Sequence, residues 1–253
     1  MAKLDKKGNI VGKLGDLRYY VLNGENIVAT KGGPSSKQFK KSKSYENHRK
    51  FGSEFGFKSK VASQIYASLK PLKPIIQSDT FSLLNKKLIQ LFNKDAEGEL
   101  GKRSLLFSAN KNHFDRTPLS KEEFSDYCFL RPEFKRTKDN IVEMIIPACS
   151  AATQFMFRGF YSKVDWTCSI QGIKDFKFND KLKSYTIESR VDVLPMTTIY
   201  QLESTISSNI EEVHHKLALQ PDYTYLVYLK ASFLPLANKA LPIIHVMEIS
   251  GMI

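Results

Sequence analysis

The sequence predicts an α+β fold: an N-terminal β-hairpin with two helices over residues 1–100, followed by a C-terminal antiparallel β-sandwich (Ig-like) over residues 101–253. Three observations carry this. Asn23-Gly24 sits inside a stretch of β-branched and aromatic residues, two segments between residues 44 and 94 repeat their apolar residues at intervals of three and four, and beyond Gly101 that period gives way to short β-type runs. With 253 residues, 42% of them hydrophobic and 25% charged, the chain can bury a core and form one or two domains.

Taken in order, Gly12 to Thr30 reads as the hairpin, because a type I′ turn needs positive φ at both central residues and Asn-Gly supplies it. An isolated hairpin is marginal in water, so it must lie against the rest of the chain or another copy. Lys31-Gly32-Gly33-Pro34-Ser35-Ser36 is punctuation. From about residue 44 to residue 69 a helix is predicted, with Phe51, Phe55, Ala62, Ile65 and Leu69 as its packing stripe and Pro71 ending it. Gly52 and Gly56 beside the two phenylalanines cost helix stability but would admit a second backbone closely, or would mark a break between shorter helices. Asp79 is the expected cap of a second helix, Thr80 to about Lys94, with Phe81, Leu84, Leu88, Leu91 and Phe92 on one face. The strands expected after it are Ile141–Ile146, Thr153–Trp166, Ser184–Val193, Thr197–Ile206, Tyr223–Phe233 and Ile243–Ile249, with turn chemistry at Asp139-Asn140, Asn179-Asp180 and Pro221-Asp222.

The net charge of +12 is uneven: residues 1–73 hold 16 Lys and Arg against 5 Asp and Glu, and residues 74–253 hold 22 against 21. The densest basic run, residues 37–60, would attract phosphate, anionic lipid or an acidic protein surface, and charge alone does not choose among them. Tyr19, Tyr20 and Tyr45 lie near it, but no strand combines basic and aromatic residues in the manner of an RNA-binding sheet, so a nucleic-acid reading rests on electrostatics.

Candidate chemistry is sparse. Glu211 and His215 have ligand-like spacing if helical, but no third ligand stands near, and a polar connector between strands is the simpler account. Glu122, Glu123 and Asp126 read as a helix start after Ser120. Cys128, Cys149 and Cys168 form no CxxC and read as buried thiols in a reducing compartment. The sequence contains no phosphate-binding glycine loop or nucleophile elbow. No apolar run reaches membrane-span length, and the start Met1-Ala2-Lys3-Leu4-Asp5-Lys6-Lys7 has no apolar core of a signal peptide, so a cytoplasmic location is expected.

Over residues 8–66 the chain resembles a family of conserved hypothetical proteins from Bacteroidota. The resembling residues are Val11-Gly12-Lys13-Leu14-Gly15-Asp16-Leu17-Arg18-Tyr19-Tyr20, then Lys31-Gly32-Gly33 and Arg49-Lys50-Phe51-Gly52-Ser53-Glu54-Phe55-Gly56, with Gly101-Lys102-Arg103 as a shorter echo. The resemblance implies a bacterial source and a β-rich remainder, and brings no activity and no catalytic residue.

These readings join in a non-enzymatic structural or assembly protein whose N-terminal module contacts neighbouring subunits or another protein. Its expected contact residues are Lys37, Lys40, Lys41, Lys43, Arg49, Lys50, Phe51, Gly52, Phe55, Gly56, Lys58 and Lys60. The alternative is a nucleic-acid-associated protein holding phosphate backbone along residues 37–60. No catalytic residue, metal or cofactor is assigned.

Overall fold

The computed structural model describes residues 1–30, 32–137, 140–187, 191–237 and 239–253. They form an α+β structure of several antiparallel sheets and few helices, in two compact units, Met1–Arg49 and Lys50–Ile253.

The first unit holds a four-stranded antiparallel meander of β1 (Lys3–Leu4), β2 (Ile10–Leu14), β3 (Leu17–Leu22) and β4 (Glu25–Thr30), more than the single hairpin expected. The Asn23-Gly24 turn is as expected: Leu22 pairs with Glu25 around central residues at φ 52° and 87°, the type I′ signature. A second two-residue turn joins β2 to β3, where Leu14 pairs with Leu17 and Gly15 takes φ 59°. Helix α1 (Ser36–Lys41) follows, capped by the Ser35 hydroxyl, which accepts from the Gln38 N–H at 3.1 Å. Among the described residues of this unit none is buried.

In the second unit, residues 50–69 of α2 (Glu46–Leu69) and all of α3 (Thr80–Phe92) supply a helical layer. The strands are β5 (Thr117–Pro118), β6 (Glu133–Arg136), β7 (Ile141–Ile146), β8 (Cys149–Ser150), then, after the short helix α4 (Ala151–Gln154), β9 (Tyr161–Ile173), β10 (Thr197–Thr205), β11 (Asn209–Ile210), β12 (Val213–Ala218), β13 (Thr224–Pro235) and β14 (Ile244–Met252). They build a central sheet of order β10-β9-β13-β14-β5, a smaller one of order β12-β7-β6, and the short β11-β8 pair.

Alternation along the long strands decides what each face meets. One face of the central sheet places Ile173, Leu226, Tyr228, Met247 and Ile249 in one cluster with Phe57, Val61, Ile65 and Leu69 of α2 and Leu84, Leu88 and Phe92 of α3. The other places Val164, Trp166, Cys168, Val227, Leu229 and Ala231 against Met144 and Ile146 of β7. Burying each Leu, Ile or Val of this kind stabilises by about 1.5–3 kcal/mol. A buried polar strut on the helical side is satisfied at both ends: Gln171 Nε2 donates to Ser68 Oγ at 3.0 Å, and its Oε1 accepts from Tyr228 OH at 2.7 Å.

This arrangement differs from the expected architecture in several places. A helical layer covers the central sheet, so the helices and the strands after residue 101 share one core, and the chain divides after Arg49 rather than near residue 100. A two-layer Ig-like sandwich has no such cover. On α2 the buried residues are Glu54, Phe57, Lys58, Val61, Ala62, Ile65 and Leu69, while Phe51 and Phe55 stand 55% and 60% exposed. Asp79 occupies the cap position of α3 without a capping hydrogen bond. Ser120 starts no α-helix: its hydroxyl donates to Glu122 O at 2.8 Å and accepts from Met247 N at 2.7 Å, tying the chain to β14 beside a single 3₁₀ turn at Phe124–Asp126. The run from Thr153 becomes strand only at Tyr161, after α4 and a loop. The described part of Ser184–Val193 makes single bridges, Asn179 to Ser184 and Ile173 to Val193, rather than a strand. Its residues 188–190 lie outside the described residues, as do Lys31 and Asp139 of the expected loop and turn. Asn140 and Asp222 take the positive φ of turn residues, and Asn179 Oδ1 accepts from the N–H groups of Lys181 and Leu182.

Candidate functional site

Strand register sorts the N-terminal sheet into two unlike faces. Leu4 faces Ile10, Leu14 faces Leu17, Tyr19 faces Val28 and Val21 faces Asn26, so these residues share one side with Gly12 and Thr30. Among the described residues that side carries no charged residue. Leu4, Ile10, Leu14, Leu17, Val21 and Val28 on it are all exposed. The opposite side holds Lys3, Lys13, Arg18 and Glu25, with Arg18 lying 5.7 Å from the centre of the Tyr20 ring. Tyr19 and Tyr20, adjacent in sequence, therefore look to opposite sides.

The basic run beyond it is not one helix. Lys37, Lys40 and Lys41 are exposed on α1, Lys43 is exposed in a 3₁₀ turn at Lys43–Tyr45, and only from Glu46 does α2 run on. Arg49 is a structural cation: its Nη1 donates to the carbonyls of Phe39 and Ser42, the latter at 2.9 Å, satisfying groups around the end of α1. Phe39, Tyr45 and His48 add a chain of ring contacts at 5.6 and 5.8 Å.

In the second unit Lys58 is buried, donating to Asn85 Oδ1 at 3.3 Å with its ammonium 4.2 Å from the Phe55 ring centre, and burial lowers its pKa. It faces a neighbouring helix rather than phosphate. Lys50 is half-buried and Lys60 exposed. Among the described residues nothing lies within 4 Å of where a Cβ would stand on Gly52 or Gly56, so none of their backbone beyond the helix itself approaches there. Beside them Phe51, Phe55, Ile89 and Phe92 line an apolar groove of about 450 Å³ whose wall includes Glu54 and Arg103. Glu54 is held on several sides: Oε1 accepts from Gly101 N at 2.7 Å and from Arg103 Nε at 3.0 Å, Oε2 pairs with Arg103 Nη2, and Arg103 Nη1 reaches Asn93 at 2.7 Å. The hydrogen bonds to the Glu54 carboxylate raise the Arg103 pKa.

Among the described residues, several side chains of types used in catalysis make contacts with their neighbours. Because β12 is a strand, Glu211 and His215 do not form the helical pair. His214 instead lies between Glu143, at 3.2 Å, and Glu212, at 3.1 Å, and both carboxylates raise its pKa. A raised histidine contributes stability that is fully present below its ordinary pKa near 6.5 and is lost as pH rises through the folded value. His214→Gln is therefore expected to flatten the fall in melting temperature from mildly acidic to mildly alkaline pH, a change that thermal melts across a pH series would read.

Cys128 and Cys168 are buried, their thiol pKa values pushed up by desolvation, that of Cys168 to about 12, and all three cysteines are free. Ser232 and His245 form a pair that sequence spacing hides: they are register partners on β13 and β14, with Nδ1 and Oγ 2.9 Å apart, and Asp165 is the partner of Ser232 on β9. The carboxylate thus flanks the serine rather than the histidine, and the histidine's Nδ1 is already engaged with the serine. That is the reverse of a nucleophilic triad's order. Among the described residues no three His, Cys, Asp or Glu side chains gather as a metal site, and no helix is long and apolar enough to cross a membrane.

The chain matches no family model, no curated protein and no solved structure.

Proposed function

We propose that this is a non-enzymatic structural or assembly protein whose N-terminal unit joins it to neighbouring subunits. The observation that carries the reading is the uncharged side of the β1–β4 sheet. Six large apolar residues stand exposed on it, in a unit of 49 residues that holds 11 Lys and Arg and 4 Asp and Glu and has no buried residue among those described. A sheet normally buries one face against another layer, and an exposed contiguous apolar face marks a contact surface. A second copy of the same sheet fits it. Sheets stack about 10 Å apart, so the cations of the two outward sides would be separated by more than the roughly 8 Å screening length at physiological salt. The exposed Phe51 and Phe55 beside the open Gly52 and Gly56 support a further contact in the second unit. The three free cysteines support a reducing compartment, and we keep the cytoplasm as the location.

The test is the mass of the full chain in solution over a range of concentrations, beside a Leu14→Lys/Val28→Lys variant. The expected result is concentration-dependent assembly that the variant loses while its second unit melts as before. A full chain that stays monomeric at every concentration would refute the proposal.

A further inference from the structure

The sequence divides its charge so that residues 74–253 are nearly neutral, with 22 cationic side chains against 21 anionic ones. The fold undoes that balance at one end of the second unit. Lys111 comes from a 3₁₀ turn at Lys111–Phe114 after α3, Arg136 from the end of β6, and Lys174 and Lys177 from the segment leaving β9. All four line a single cavity of about 770 Å³, within the roughly 300–1,000 Å³ of small-molecule sites.

Two carboxylates, Asp175 and Asp222, share that lining with the four cations. Asp175 accepts from the Ser108 N–H at 3.0 Å and from the Ser108 hydroxyl, and Lys174 reaches Asp192, outside the lining, at 3.7 Å. Among the described residues no carboxylate lies within ion-pair distance of Lys111, Arg136 or Lys177. Four cationic side chains against two carboxylates leave the lining with an excess of positive charge, and a concave surface of that kind focuses potential on an anion that enters it.

Two half-buried rings, Phe134 and Tyr223, give the same cavity an aromatic wall. Tyr223 is fixed by its hydroxyl, which donates to Val191 O, and the Lys174 ammonium stands 5.1 Å from its ring centre. Cations for phosphate and a fixed ring for a planar base belong to one ligand class.

We infer that this basin binds a nucleotide-sized ligand, its phosphate held by Lys111, Arg136 and Lys177 and its base against Tyr223. The site lies wholly in the second unit and does not depend on the assembly reading.

Calorimetric titration of the full chain with adenosine 5′-monophosphate tests it, with inorganic pyrophosphate and a single-stranded oligonucleotide as parallel probes. The monophosphate is expected to bind. Lys111→Glu/Lys177→Glu should weaken it by about tenfold or more, the neutral pair Lys111→Gln/Lys177→Gln by less, and Lys121→Glu/Lys216→Glu, exposed elsewhere, not at all. Tyr223→Ala should weaken the monophosphate and leave pyrophosphate unchanged, which separates a nucleotide from a bare phosphate ligand. Absence of monophosphate binding at millimolar concentration overturns the proposal, as does equal binding by the doubly charge-reversed variant with an unchanged melt. An oligonucleotide that binds far more tightly, with an affinity that collapses in salt, would replace it with a nucleic-acid groove.

Discussion

Truncation to residues 50–253 is expected to leave a folded protein, and truncation to residues 74–253 is expected to leave none. The first cut falls between the two units and removes no described buried side chain. The second removes Phe57, Val61, Ala62, Ile65 and Leu69, the whole contribution of α2 to the helical layer. Deleting one such large side chain costs about 2–5 kcal/mol, and domains are stable by only about 5–15 kcal/mol, so several lost together exceed the total. Far-UV circular dichroism and thermal melts of the two fragments would read this. A cooperative melt from residues 74–253 would show that α2 is dispensable to the core, and an unfolded 50–253 fragment would show that the first unit is not an appendage. The assembly proposal adds that the folded fragment should be smaller in association state than the full chain.

Arg103→Ala is expected to destabilise the second unit by about 3–5 kcal/mol, because it leaves a buried carboxylate without its cation. The side chain of Glu54 is 5% exposed and that of Arg103 19%, and without the arginine Glu54 keeps only the Gly101 N–H among the donors described above. Arg103→Lys should fall between, since a point charge cannot reproduce the fork of the guanidinium. Replacing both, as Glu54→Leu/Arg103→Met, should recover most of the loss, because the penalty belongs to the orphaned charge rather than to the missing pair. Urea unfolding of the four proteins measures this, and a single-variant cost below about 1 kcal/mol would show that the pair acts as a solvated surface contact.

Both helices could be read in the sequence to within a few residues, and so could several strands, because three-and-four and alternating periods are local properties. Which stripe of α2 goes inside could not. Phe51 and Phe55 compete with Glu54, Phe57 and Lys58 for the same turns, and only α3 and the Arg103 loop, distant in sequence, select the second set. Strand β12 was hidden by its composition: Val213-His214-His215-Lys216 alternates between half-buried and exposed positions with polar residues in both, which leaves little apolar signal. The charge-free side of the N-terminal sheet follows from register, which the Asn23-Gly24 turn fixes for β3 and β4 but not for the strands before them. The cationic basin draws on four positions spread over 67 residues or fewer, each unremarkable in a running charge count.

Trp166, fully enclosed between the central sheet and the β12-β7-β6 sheet of the second unit, is the chain's single tryptophan. Its emission should therefore be that of an indole in apolar surroundings and should report on that unit alone, since the first unit's larger rings are all phenylalanine and tyrosine. Fluorescence followed at long wavelength becomes a built-in gauge of the body of the protein, blind to loss of the N-terminal sheet. Tyrosine signals or total ellipticity followed in the same titration also register the sheet, so a mismatch between the two traces would separate the unfolding of the two units without a label.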